Sequence, residues 1–235
     1  VALLYQRDLF KLLSSRSISI PPLKQYRPTR DLLHVSGLLL TGDTLDVFVC
    51  HLPSRSGGAK ESESYRLYAA HILRMEVDSI MSIRSLPQVI IMGDFNDYPT
   101  NQSIQKILEA EAPPVTTNNL ASTTGSTNFS TVAPSSLKLY HLLARKAKSK
   151  DFGSYKYRGE WGLLDHLIVS GTLLNQSNHF FTSEEKANVC LLPFLLKDDE
   201  KYGDKEPFRT YKGMKYQGGV SDHLPIYADF ELILY

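Results

Sequence analysis

Hydrophobic and polar positions change their spacing several times along the chain, and each change marks an element. Residues 1–5 are an unbroken apolar run that predicts a first strand. Apolar runs over residues 32–41 and 45–50 flank Thr41-Gly42-Asp43, turn chemistry that predicts a hairpin. After a polar, glycine-bearing loop over residues 54–60, the period lengthens. Tyr65, Ala69, Ile72, Leu73, Val77 and Ile80 fall near helical spacing, which predicts one amphipathic helix laid against a sheet. Leu86-Pro87 closes it. Val89, Ile90, Ile91 and Met92 then read as a short strand buried on both faces, stopping at Gly93-Asp94-Phe95-Asn96.

The later half is less regular. A shorter helix is expected over residues 101–111, ended by Pro113-Pro114, and another over residues 137–148. Between them, residues 116–136 have the Thr, Ser and Asn content of a long surface loop. Residues 163–169 read as a strand, 175–216 as irregular chain with short strand-like pieces, and 224–234 as a closing strand. With no repeat and no linker, one domain over residues 1–235 is expected.

Composition narrows the class. Of 235 residues, 42% are hydrophobic and 22% charged, enough apolar surface for a packed core. The 26 Lys and Arg against 25 Asp and Glu leave a net charge of +1, so no global basic field draws the chain onto nucleic acid. No apolar run is long enough to span a bilayer, and no signal peptide opens the chain. The chain begins with Val1 rather than Met, so a mature or truncated product is expected. Cys50 and Cys190 form no CxxC pair, which argues against zinc or a disulfide framework and for buried thiols.

Candidate chemistry gathers in four clusters at strand ends: Cys50-His51-Leu52-Pro53-Ser54-Arg55, Gly93-Asp94-Phe95-Asn96, Leu164-Asp165-His166 and Ser221-Asp222-His223-Leu224-Pro225. Strand ends are where α/β sheets place ligands. A lone His after a strand, or an acidic residue in a turn, is more often structural than catalytic. The ordered set is more specific. It resembles the endonuclease/exonuclease/phosphatase superfamily, with its deoxyribonuclease-I-like fold, over residues 1–230. The likeness is closest to bacterial secreted or periplasmic-type members, through Gly159-Glu160-Trp161 and Pro207-Phe208-Arg209-Thr210-Tyr211.

The resemblance implies an α/β (α+β) protein built as a four-layer αββα sandwich, two packed mixed sheets flanked by helices. It also implies a metal-dependent phosphoesterase with Mg²⁺, or Mn²⁺, as cofactor. His51 would donate to a phosphate oxygen, Asn96 would orient substrate or metal-held water, and Asp94 would hold and deprotonate the attacking water or shuttle the leaving-group proton. Asp165 would pair with His223 and favour its imidazolium, which can face charge developing on the phosphate. Asp222, Asp94 and Asn96 would address the cation, Asp222 otherwise being a turn cap.

Arg55 and Arg209 are candidates for forking onto a substrate phosphate, with a solvated surface role as the alternative. Trp161 either stacks on a substrate ring or packs beneath the site. Members of the superfamily also carry an Asn near the first strand and a principal metal-ligating Glu, both of which the resemblance places upstream of Val1. The chain by itself is therefore expected to be weakly active or inactive. The partner implied is a phosphate-ester substrate of open class, nucleic acid included. The alternative is a noncatalytic module that binds a phosphate ligand and keeps the fold.

Overall fold

The computed structural model describes residues 1–23, 26, 28–115 and 134–234, so most of the loop read at 116–136 lies outside the described residues. The chain runs through β1 (Phe10–Ile18), β2 (Leu32–Leu39), β3 (Thr44–His51), α1 (Glu63–Ile83), β4 (Gln88–Asp94), β5 (Leu139–His141), β6 (Tyr155–Tyr157), β7 (Glu160–Gly162) and β8 (Asp165–Ser170). Short strands follow: β9 (Phe180–Phe181), β10 (Ala187–Val189), β11 (Leu196–Asp198), β12 (Lys205–Pro207), β13 (Tyr211–Lys212), β14 (Lys215–Tyr216), β15 (Ile226–Ala228) and β16 (Glu231–Leu232).

A six-stranded mixed sheet in the order β1-β2-β3-β4-β8-β5 organises the fold. The β2–β3 hairpin turns where Thr41-Gly42-Asp43 predicts it. From β3 the chain crosses through α1 and returns as β4, parallel to β3. β8 then pairs antiparallel to β4. Alternation splits the side chains between two cores. Phe48, Cys50, Val89, Ile91 and Ile168 meet Leu73 and Val77 of α1. Val47, Ile90, Leu167 and Val169 meet Leu142, Leu173, Phe180, Val189 and Leu224 on the opposite face. Burial on both faces accounts for the continuous apolar reading of β4.

The fold is mixed α/β with several sheets and one long helix, and it is consistent with a sandwich. Its layers among the described residues are α1, the six-stranded sheet, and a third layer of two-stranded ladders that includes β10–β15 and β9–β16. A second continuous sheet and an outer helical layer do not form there. Each of those ladders pairs only two or three residues before a turn interrupts it.

Several sequence expectations give way to tertiary pairing. Residues 1–5 are unpaired; the first strand is β1, which exposes Leu12 and Leu13 and takes its hydrogen bonds from β2. The helix expected over 137–148 is instead β5 beside β8, then turns. Leu139, Tyr140, Leu142 and Leu143 are all buried, so no polar helical face exists there. The helix over 101–111 shrinks to a π-helical turn at Ser103–Ile107. The closing strand breaks between β15 and β16, which pair with different partners. Both cysteines are free thiols; Cys50 is buried but Cys190 only half-buried.

A buried polar chain ties β5 to β8. The Leu143 N–H donates to His141 Nδ1 (3.1 Å), so the ring proton sits on Nε2 and is donated to His166 Nδ1 at 2.5 Å. His166 Nε2 donates in turn to the Asp97 carbonyl (2.8 Å). Every nitrogen is satisfied only while both rings are neutral. Burial holds His141 well below the ordinary imidazole value, and burial pulls His166 down to about 4 despite the Asp97 carbonyl and the Asp165 charge.

In the unfolded chain both imidazoles take up protons near pH ~6.5. This contribution to stability is therefore complete above that pH and is lost as pH falls toward about 4. For His166 it is on the order of 3 kcal/mol. We expect the urea midpoint to drop steeply between neutral pH and the acid end of that window, and less steeply in His166→Gln. A parallel pH dependence in both proteins would show that the pair does not govern acid stability.

Candidate functional site

Strand register assembles the site. Across β3, β4 and β8, His51 stands opposite Asp94, and Asp94 opposite Asp165. All three share parity with Val49, Met92 and Leu167, so they project from the sheet face away from α1. The chain then turns sharply. Gly93 has φ +133°, and a Cβ there would sit 2.0 Å from the Cys50 carbonyl oxygen, so only glycine lets β4 run this close to β3.

Asn96 adopts φ +51°, a conformation Asn tolerates better than most residues. Its backbone N–H donates to Asp94 Oδ1 (2.7 Å). Its Nδ2 donates to the Leu52 carbonyl (3.1 Å) and to Asp94 Oδ2 (3.2 Å), leaving its Oδ1 unbonded among the described residues. Beneath this turn Phe95 is fully buried against the His166 ring. Arg66 of α1 reaches Asp97 Oδ1 (2.7 Å), Ser62 Oγ (2.6 Å) and the Ala59 carbonyl (2.6 Å), fixing the loop from below.

His223 arrives from the third layer. Its Nδ1 lies 2.6 Å from Asp165 Oδ2, which also accepts from Ser154 Oγ at 2.5 Å. The Ser154 carbonyl accepts the Leu224 N–H (2.7 Å), and the Tyr155 ring lies 4.9 Å from the His223 ring between centroids. With Nδ1 turned to Asp165, Nε2 is the nitrogen left for a ligand. Asp94, Asp165 and His223 bring potential ligand atoms within 4.8 Å of one another. His51 Nε2 is 3.4 Å from Asp94 Oδ2, long for a hydrogen bond.

Electrostatics push these groups apart. Burial raises the Asp94 carboxyl to about 6; the Asn96 N–H opposes this and the Asp165 charge adds to it. Burial also lowers His51, with Arg30 and His223 acting in the same direction. For His223 burial acts downward too, but the Asp165 bond and charge, with Asp94 and Asp222, outweigh it and the imidazole is raised. One imidazole is biased toward neutrality, the other toward the cation, and between them lies a carboxyl raised to about 6.

The remaining sequence candidates scatter. Arg55 lies over the Tyr98 ring (4.7 Å), and Tyr98 shares with Trp161 the wall of a cleft of about 850 Å³. Trp161 also sits under Lys156 Nζ and packs partly into the core, closer to the reading as a packing residue. Arg209 lines a separate cleft of about 250 Å³ with Lys156 and Arg158. Asp222 is exposed and is not among the three residues whose ligand atoms converge; its charge helps to raise His223. Sequence reasoning missed Ser154, Tyr155 and Arg30. The only signal for Ser154 was a polar residue ahead of a buried strand, which many loops carry.

A sequence model described as Endonuclease/Exonuclease/phosphatase family matches residues 1–232. No curated protein matches the chain by sequence. Similar solved structures include the human Nocturnin catalytic domain with bound sulfate anion, at 19% identity and TM-score 0.51, covering 97% of this chain and 62% of that one. D. rerio TDP2 complexed with single strand DNA product is similar at 15% identity and TM-score 0.54, with 96% and 70% covered. A mannosyl-6-phosphatase from Bacteroides thetaiotaomicron is similar at 16% identity and TM-score 0.53, with 96% and 68% covered. At these identities the likeness is one of fold, and the chain spans 62% to 70% of the length of these three neighbours.

We expect Asp165→Asn to lower the His223 pKa, because the bond and charge of Asp165 are the largest influences opposing burial. Ser154→Ala should change the same titration while leaving the fold intact. NMR titration of the His223 ring reads both, and an unshifted curve in Asp165→Asn would dissolve the pair.

Proposed function

The chain belongs to the endonuclease/exonuclease/phosphatase family, and from that premise we propose that it hydrolyses a phosphate mono- or diester by attack of water on phosphorus. One observation carries the reading: Asp94, Asp165 and His223 converge within 4.8 Å at the end of the sheet, with His223 bonded to Asp165. The neighbours support the same class: one is a phosphatase, one holds a sulfate anion and one a single strand DNA product.

The roles follow from the geometry. Asp94, its carboxyl raised to about 6, accepts a proton from the attacking water. The new bond joins the water oxygen to phosphorus, the ester P–O bond breaks, and the leaving oxygen takes up a proton from bulk water, to which Asp94 returns its own. His223 is kept cationic by Asp165 and presents Nε2–H to a nonbridging oxygen, where negative charge builds up. His51, held toward neutrality, donates a hydrogen bond to another phosphate oxygen. Asn96 positions Asp94 through its backbone and side-chain amides.

The donor set also fits a hard divalent cation. Burial leaves the Asp94 charge undercompensated, and the Asn96 Oδ1 is unbonded. Mg²⁺ or Mn²⁺ would be held by these two groups, with the exposed Asp222 as an outer carboxylate, and would neutralise charge on the phosphate oxygens when bound. Asp165 is engaged by His223 and Ser154 and remains a positioning group.

We expect slow release of phosphate or alcohol from phosphate esters, dependent on Mg²⁺ or Mn²⁺ and abolished by a chelator. Asp94→Asn should lower kcat by about a hundredfold, the usual scale for a positioned proton-transfer group, with little change in stability. Turnover near wild type in that variant would remove Asp94 from the chemistry.

Asp165→Asn and His223→Ala should be strongly nonadditive, since either change disables the same unit. The double variant is expected to lose little more than the worse single one. Additive losses would mean the two act separately. A chain that binds phosphate esters but never turns them over would instead be a binding module.

A further inference from the structure

The turn of the β6–β7 hairpin, the turn between β11 and β12, and the segment after β12 enclose a cleft of about 250 Å³. The stretches of chain that line it, residues 156–159, 199–206 and 209–212, are all described. Pockets that enclose a whole small ligand run to roughly 300–1,000 Å³, so this one suits a single group of a larger molecule.

Its charge is one-sided. Lys156, Arg158, Lys201, Arg209 and Lys212 line it against two carboxylates, Asp199 and Glu206, a surplus of three positive charges in a chain whose net charge is +1. Both carboxylates are already engaged. Asp199 meets Lys156 Nζ (3.3 Å) and accepts the backbone N–H groups of Lys201 (3.2 Å) and Tyr202 (3.1 Å). Glu206 faces Lys197 (3.3 Å) and Lys212 (3.9 Å). Buried Lys156 donates further to the carbonyls of Gly203 (2.9 Å) and Lys205 (3.0 Å). Arg158, Lys201 and Arg209 are the cations left over, none of them ion-paired among the described residues, and Arg209 is half-buried. Like charges gathered on one concave wall repel one another, and a polyvalent anion among them reverses the sign of that interaction.

A row of rings leads from the site to this cleft. The Tyr155 ring lies 4.9 Å from the His223 ring, and Tyr157, in the cleft wall, stands nearly parallel to Tyr155 (6.5 Å between centroids, 12° between planes). The backbones of Tyr155 and His223 pair in a β-bridge. Arg209 is tied to the same place. It follows Phe208, whose carbonyl accepts the N–H groups of Val220 (2.7 Å) and Ser221 (3.3 Å) just ahead of His223, and its charge acts on the Tyr155 phenol.

We propose that this cleft binds a second phosphate of the substrate, beyond the ester at the Asp94–His223 cluster, with the part between the two phosphates lying along Tyr155 and Tyr157. The assignment rests on the phosphoesterase reading. Guanidinium and ammonium groups suit phosphate oxygens, and aromatic faces suit the sugar or base between them. A doubly phosphorylated sugar and a 5′-phosphorylated dinucleotide share this chemistry.

The test measures KM for two matched pairs at fixed free Mg²⁺ and ionic strength: fructose 1,6-bisphosphate against fructose 6-phosphate, and thymidine dinucleotide with and without a 5′-phosphate. At least one pair should show a KM about tenfold lower for the member with the extra phosphate, the scale of one charge-assisted bond, and the pair that does so identifies the source. Arg209→Gln should bring that ratio close to one. So should the double change Arg158→Gln with Lys201→Gln, two exposed side chains whose loss leaves packing intact if the Arg209 variant fails to fold. Lys11→Gln, on the exposed strand β1, is the control for general attraction and should keep the ratio.

No advantage in either pair, an advantage that the cleft variants keep, or one that Lys11→Gln erodes equally overturns the proposal and leaves the phosphoesterase reading standing. If no ester is hydrolysed, that reading fails instead and binding decides the cleft. Phosphorus NMR lines of fructose 1,6-bisphosphate that broaden more than those of fructose 6-phosphate, and no longer do so in the cleft variants, uphold a phosphate site there. Equal or unaltered broadening overturns it.

Discussion

The register of three neighbouring strands carries this structure. Val47 stands opposite Ile90, and Ile90 opposite Val169; one residue on in β3 and β4, Phe48 stands opposite Ile91, and Ile91 opposite Ile168. The first row packs away from α1 and the second against it. A slip of one residue would exchange the rows and turn His51, Asp94 and Asp165 toward the helix-side core. Each buried aliphatic or aromatic side chain contributes roughly 1.5–3 kcal/mol, so the sheet resists that slip at several positions together. The site inherits its geometry from the packing of residues that take no part in its chemistry.

Polar groups buried beneath the site extend that rigidity into the loops. Arg66 and Asp97 are almost fully enclosed and bonded at 2.7 Å. Removing one partner of such a pair costs about 3–5 kcal/mol, because the other charge is stranded. The Asp97 carbonyl also closes the chain that runs through His166 and His141 to β5. The turn after Asp94 is thus tied to α1 on one side and to the edge of the sheet on the other. A loop held this way can keep Asn96 at positive φ and still aim its amide groups.

Above this foundation, small differences in environment separate the roles. His51 and His223 are both partly buried, yet they shift in opposite directions, because only His223 bonds a carboxylate. Asp94 and Asp165 face each other across β4 and β8, yet Asp165 is bonded by Ser154 and His223 while Asp94 is not. Carboxyls and imidazoles of the same two residue types thus come to differ in their titration by placement alone.

Legibility in the sequence follows the range of the forces involved. The β2–β3 hairpin, α1, β4 and β8 could be read because each buries a face or stripe whose period is set by its own backbone. His51, Asp94, Asn96, Asp165 and His223 could be read as candidates because each ends or follows such an element, and the family likeness ordered them. β1 and β5 could not, since β1 is mostly exposed and owes its form to the edge of β2, and β5 is too short and too buried to show a period. Ser154 meets Asp165 eleven residues on and His223 meets it across 58, contacts that leave no local trace. The exposure of Asp222, in the same motif as the half-buried His223, leaves no local trace either. The sequence by itself determined which residues were available at strand ends. The tertiary structure decided which of them face one another, and how much water each retains, because register, burial and long-range hydrogen bonds exist only once the layers are packed.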